Sequence, residues 1–176
     1  MWDDCSDLFA ANGRKELSYI GTFIGRERIR KSMIVRYGNN GRRSPNMPIH
    51  QKTQPFVTVA PDGHSARVRL RLYQVNSAAE GEGSYIAGIY ENKVVLENGV
   101  WKIDAMDLDY TWTTGYQAGW ANVKEQGPPR PPAPPFAYPP DAPLRGVSAP
   151  PFPKIDSMAF HFRNPVSGRE PPVLLQ

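Results

Sequence analysis

The chain has 176 residues, 19 of them proline, one cysteine and a formal net charge of +4. Its positive residues alternate with apolar ones instead of forming a stripe, which argues against nucleic-acid binding, and no apolar run approaches the ~18 residues that a membrane-spanning helix needs. A lone Cys5 cannot close an internal disulfide and the start shows no signal peptide, so a reducing, cytoplasmic location is expected.

The first 12 residues read as a helix. Trp2, Cys5, Leu8 and Phe9 share one face, Asp3, Asp4 and Asp7 lie off it, and Gly13 suits a helix-ending position. A short strand-like run follows over 16–23, ELSYIGTF. A second helix is expected over 26–37, with Ile29, Met33, Ile34 and Tyr37 on its apolar face. Its positive residues Arg28, Arg30, Lys31 and Arg36 read as a solvated face. Residues 39–46 form a polar loop.

Residues 49–60 and 65–76 read as a hairpin around Asp62-Gly63. In the second strand Ala66, Val68, Leu70 and Leu72 alternate with Arg67, Arg69 and Arg71. One face is therefore core and the other basic, facing solvent or a subunit contact. Val57 and Val59 join the core face. Strict alternation puts His50 on the opposite face, unless a β-bulge near Pro55 brings it back.

Residues 84–112 hold the strongest local signal. Two β-rich runs flank Asn98-Gly99, a pair that suits a type I′ turn because both central residues need positive φ. A two-residue loop sets Leu96 against Trp101, Val94 against Ile103, Tyr90 against Asp107 and Gly88 against Asp109. Leu96, Trp101, Val94 and Ile103 then share a face that ends in Tyr90, Asp107 and Asp109. An apolar wall ending in a phenol and carboxylates fits the end of a ligand pocket, and it also fits a strand leaving the core for solvent. Phe9, Ile29, Met33, Val68, Leu70, Trp101 and Ile103 are the expected core.

Fifteen of the 19 prolines lie from Pro128 onward. The expected division is a domain over 1–123 and a proline-rich extension over 124–176, extended and polyproline II-like. Phe136, Tyr138, Phe152, Phe160 and Phe162 give that extension something to bury against the domain or a partner subunit; a free linker and a PxxP ligand are the alternatives. Zinc-type cysteine and histidine spacing, a phosphate-binding glycine loop and a G-x-S-x-G elbow are missing from the sequence, so neither a metal nor a cofactor is expected.

The stretches WDDCSDLFAANG, YIGTFIGRERIRKSM, the lone His50 ahead of the PDG turn, and GIYENKVVLENGVWKI resemble the SnoaL-like branch of the nuclear-transport-factor-2-like superfamily. The tail string FHFRNPVSGREP is similar to the end of some bacterial members. The resemblance implies an α+β fold: a cone-shaped barrel in which a curved antiparallel sheet wraps around helices and encloses an apolar cavity. It also implies a hydrophobic small molecule as ligand, a homo-oligomer (dimer or trimer), and acid-base chemistry without a metal, as in ketosteroid isomerase, scytalone dehydratase, bile acid dehydratase, polyketide cyclases and limonene epoxide hydrolase. In the dehydratase-like relatives a strand His and a later strand Asp transfer protons, and His50 and Asp107 stand at the matching positions. Those relatives also carry a Tyr and an Asp upstream of the W-D-x-x-x-x-L-F pattern. This chain begins just before Trp2, so its start is truncated or its chemistry differs.

Histidine titrates near neutrality, and a buried carboxylate beside it fixes its tautomer. Tyr19 and Tyr90 are candidate donors to a carbonyl or enolate oxygen, and Asp109 and Trp112 are further candidates for ligand contact. His64, at a turn, and His161, in the tail, read as structural. Two functions remain open: a cofactor-independent lyase or isomerase acting on a hydrophobic compound, and a binding or assembly protein with an inert pocket.

Overall fold

A computed structural model describes residues 1–17, 20–38, 47–77, 81, 83–122, 137–143 and 159–170. The elements are α1 (Trp2–Asp7), β1 (Phe9–Leu17), β2 (Gly21–Ile24), α2 (Arg26–Tyr37), β3 (Met47–Val59), β4 (Ser65–Ser77), β5 (Gly83–Glu97), β6 (Val100–Met106) and β7 (Leu108–Gly115), followed by a 3-10 turn at Trp120–Asn122. The strands form one curved, unclosed sheet in the order β2-β1-β6-β5-β4-β3, and β7 pairs with β5 beyond the end of β6. Every pairing is antiparallel except that of β1 with β6. With α2 packed on β1 and β2, this is the α+β cone expected from the sequence.

The core lies where α2 meets β1 and β2. Phe9, Leu17, Phe23, Ile29 and Met33 are buried together, with Trp2, Cys5, Ile103, Met106 and Tyr138 packed around them. Both expected hairpins form. Asn98 and Gly99 have φ of 53° and 77°, the left-handed pair that a type I′ turn requires. At the other turn, Gly63 has φ of 71° and His64 N donates to Asp62 Oδ1 at 2.9 Å.

Four local expectations are corrected. The first helix ends at Asp7, and Phe9 starts a strand that pairs with Ile103 of β6. That strand shifts register between Phe9 and Arg14, which hides its alternation. A Cβ on Gly13 would lie 2.7 Å from Ile103 O, so this glycine permits a close strand approach and caps no helix. Trp101 is 45% exposed and lies outside the core, because the sheet near the Asn98-Gly99 turn runs past the helices. Val57 and Val59, 55% and 53% exposed, share that uncovered end, and Val68 and Leu70 are only half-buried. On the basic face of β4, Arg69 is buried and pairs with Glu91 at 2.6 Å, while Arg67 and Arg71 stay exposed.

Two stretches of the tail lie against this domain. Residues 137–143 run along β2: Thr22 N donates to Ala142 O at 2.8 Å and Asp141 N donates to Thr22 O at 2.9 Å. Tyr138 stacks on Phe23 with centroids 5.8 Å apart, and Arg28 pairs with Asp141 at 2.7 Å. Gly21, with φ of 144°, makes room, since a Cβ there would lie 2.7 Å from Ala142 O. Residues 159–170 reach the outer face of β3, β4 and β5. Phe162 stacks on Phe56 at 3.8 Å, the Arg69 guanidinium lies 4.1 Å from the Phe160 ring, and His161 bonds to both Glu91 and Thr58. Phe136 and Phe152 lie outside the described residues.

Two outcomes follow. Phe23→Ala, at a fully buried site, should cost about 3–5 kcal/mol, whereas Trp101→Ala should cost less than about 1 kcal/mol. Comparable losses in the two denaturation midpoints would return Trp101 to the core. The hydrogen bond from Arg28 is the main cause holding the Asp141 carboxyl below its ordinary value. Its contribution is therefore present above the unfolded value of 3.8 and is lost as pH falls through the lower folded one. Docking of 137–143, read from the Thr22 and Ala142 amide resonances, should persist to about pH 4 and weaken below it. Release at pH 6 would refute the role of that ion pair.

Candidate functional site

A cavity of about 490 Å³ opens inside the cone, bounded by β1, the end of α2 and strands β3 to β7. Its volume falls in the ~300–1,000 Å³ range of small-molecule sites. Leu17, Ile86, Met106 and Leu108 supply the apolar part of its wall.

His50 reaches this wall through a bulge. Strand β3 shifts register between Thr53 and Phe56, and Gln54 there has φ of 50°. Pro55 has no N–H to give the ladder, so the irregularity falls where a regular strand would lose a bond. Before the bulge His50 pairs with Gln74, and after it Val57 pairs with Val68. Gln74 and Val68 share one face of β4, so His50 and Val57 share a face as well, although they are an odd number of residues apart. His50 remains partly open to solvent; its partial burial, then the positive charges of Lys52 and Lys15, pull the imidazole below its ordinary value. It is therefore neutral at pH 7 and can accept a proton.

Tyr90 forms another part of the wall. It is 5% exposed, and burial, with Tyr110 and Tyr37 adding to the effect, pushes its phenol well above the ordinary range. Its hydroxyl stays protonated and can donate. The Lys52 ammonium lies 5.5 Å from the Tyr90 ring centroid. Gln74 Nε2 donates to Asn76 Oδ1 at 2.7 Å, and Asn76 Nδ2 to Ser84 Oγ at 3.0 Å. Gln74 Oε1 is buried without a hydrogen-bond partner. Such a group costs about 1–3 kcal/mol, which a donor on a ligand would recover.

Two cations that the sequence did not single out also line the cavity. Lys15 lies on β1, half-buried, and burial, then Arg36, pull its amine down to about 8. Arg36 sits in the last turn of α2, next to Tyr37, at the same wall. Recognition of 9–17 as a strand would have aimed Lys15 inward; Arg36 was read as part of a solvated helix face.

The other candidates stand elsewhere. Asp107 is 2% exposed and pairs with Arg14 at 2.6 Å, away from the cavity. The reason is a register shift between Lys93 and Val94: Lys93, not Asn92, faces Ala105. Tyr90 consequently faces Leu108 of β7, and Asp107 N donates to Asn92 Oδ1 at 3.2 Å. Asp109 faces Ile89 and Trp112 faces Ala87, so neither is part of the cavity wall. Tyr19 lies outside the described residues. Among the described residues no three His, Cys, Asp or Glu side chains converge as metal ligands would, and no helix is long and apolar enough to cross a membrane.

A curved α+β cone with an internal, partly polar cavity is the class this geometry defines. The model of the SnoaL-like domain family matches residues 1–107, and the chain belongs to that family. A candidate scytalone dehydratase from Novosphingobium aromaticivorans is 19% identical, with a TM-score of 0.55 over 72% of this chain and 82% of that one. A candidate aromatic ring hydroxylase from the same organism is 23% identical, with a TM-score of 0.52 over 70% and 82%. A type 2 hexachlorocyclohexane dehydrochlorinase is 17% identical, with a TM-score of 0.53 over 74% and 82%. These likenesses carry the fold. None of the curated proteins matches the chain.

The ion pair of Asp107 gives a direct test. Arg14→Met removes the ion pair to a buried carboxylate and should cost about 2–3 kcal/mol, below the full penalty because Arg14 is a third exposed. Wild-type stability in Arg14→Met would show that the pair does not hold the strand junction.

Proposed function

We propose that the cavity binds a hydrophobic small molecule and that His50 moves a proton on it, in a metal-free reaction of the dehydratase, isomerase or cyclase type. The observation that carries this is a neutral imidazole and a phenol that stays protonated on the wall of one cavity, together with the apolar side chains of Leu17, Ile86, Met106 and Leu108. The imidazole accepts the proton; such general base catalysis contributes about 10²–10⁴-fold. Tyr90 donates to the oxygen on which charge develops. The apolar wall buries the carbon skeleton at about 25 cal/mol per Å². Two of the similar structures carry the names of eliminating enzymes, a dehydratase and a dehydrochlorinase, and elimination includes loss of a proton; this supports a lyase. Asp107 enters this reading only through position, by bracing the junction that sets Met106 and Leu108 on the wall.

A second reading, a binding or assembly protein, is favoured by one observation. The His50 ring makes no hydrogen bond to any described residue, so none of them fixes its orientation. We place the protein in the cytoplasm on the strength of Cys5, a free thiol. We also propose a homo-oligomer, since the exposed Val57 and Val59 share one face of β3 and leave apolar surface that a subunit contact would cover.

Titration of His50 by NMR tests the acid-base reading without a substrate. Its midpoint should lie below 6.5 and rise in Lys52→Met, because that cation disfavours the imidazolium. With a substrate in hand, kcat/KM should rise through the same midpoint, and His50→Ala should cut turnover by at least ~10²-fold. Near-normal turnover in His50→Ala would leave the binding reading in possession.

A further inference from the structure

We propose that the ligand of this cavity carries a carboxylate, held by Lys15 and Arg36. The inference rests on the reading of the cavity as a small-molecule site and adds the chemical class of the molecule. Three observations support it.

First, both cations line the cavity, and neither forms an ion pair with any described residue. Arg36 is exposed and Lys15 half-buried; other half-buried cations are matched. Arg14 has Asp107, Arg28 has Asp141, and Lys93 has Asp104. Second, Glu16, the carboxylate residue of the cavity wall, already has a contact of its own. Asp107 and Asp109 lie off the wall, so the described wall holds more positive than negative charge. Third, the Lys15 amine is pulled down to about 8, first by burial and then by Arg36. A half-buried ammonium with a carboxylate beside it would be pushed the other way. The site behaves as one built for a negative charge that is supplied from outside the protein. Arg36 offers the planar fork that matches a carboxylate, and Lys15 a point charge. The apolar residues on the same wall take the rest of the molecule.

Calorimetric titration with aromatic carboxylates of two and three fused rings, and with their primary amides, tests this. The amides match the acids in size and shape and lack the charge. At pH 7 the wild type should bind the carboxylates about tenfold or more tightly than the amides. Lys15→Met and Arg36→Met should each reduce that preference severalfold, with a larger loss of carboxylate than of amide affinity. Lys15→Gln gives the same readout if the methionine variant folds poorly. Equal affinity for acids and amides in the wild type overturns the carboxylate preference and leaves the small-molecule site standing. A preference that survives in both variants overturns the assignment to Lys15 and Arg36. Failure of both series to bind, with no shift of the His50 resonances, overturns the site along with it.

Discussion

Strand β5 is the constraint on which the rest depends. Along one edge it pairs with β4 from Gly83 to Val95. Along the other it changes partner: its C-terminal half takes β6 and its N-terminal half takes β7. The chain must pass from one partner to the next at Asp107. There Glu91 N donates to Asp107 O at 3.1 Å, Asn92 accepts from Asp107 N, and Arg14 holds the carboxylate. A second register shift follows at Ala87 and Gly88, and a Cβ on Gly88 would lie 2.7 Å from Asp109 O. Side chains alternate with a period of two, so each shift decides which residues see the cavity and which see the outer face. Tyr90 faces inward and Asp107 outward because of where these shifts fall.

The fold was legible because its strongest signals are local. Asn98-Gly99, Asp62-Gly63 and the apolar face of residues 26–37 each act over a few residues, and the family motifs follow in order. The site was less legible because it depends on irregularities. The bulge at Gln54 and Pro55 had a signal, since proline cannot donate to the ladder, and it decides the position of His50. The shift between Lys93 and Val94 had none: KVVLENGVWKI alternates well on either register, and only packing against β1 selects one. The same holds for 9–17. Phe9 has a partner in β6, and a helix there would leave β6 without its parallel neighbour. Tertiary pairing overrode a local helical pattern. Lys15 was missed for that reason, since a residue outside any strand has no assigned face.

The tail explains a second group of residues. Arg69 looked like part of a solvated basic row, yet it lies under Phe160 and beside Glu91. Its burial depends on residues some 90 positions later, and no window of sequence connects the two. Gly21 is similar. Read locally it breaks a strand; in the structure it admits the chain at Ala142. Aromatic residues spread through a proline-rich segment were the visible part of this arrangement. Tyr138 and Phe162 each stack on a ring of the domain, contacts worth about 0.5–1.5 kcal/mol beyond their buried area.

The electrostatics of the cavity pose a problem that the proposed ligand resolves. Burial first, then Lys52 and Lys15, hold the His50 imidazole below its ordinary value, which weakens it as a base. For a neutral ligand that is a loss. A carboxylate beside Lys15 would offset one of the charges acting on His50, and the imidazolium would become easier to form. Base strength would then rise with occupancy: the empty site holds a weak base, and the loaded site a stronger one. The same cations would stabilise negative charge that develops on the substrate as the proton leaves. Cations that depress an unliganded base and assist the liganded one are consistent with proton abstraction from an acidic, hydrophobic molecule. In a plain binding protein they would serve the carboxylate alone, and the neutral imidazole would have no further part.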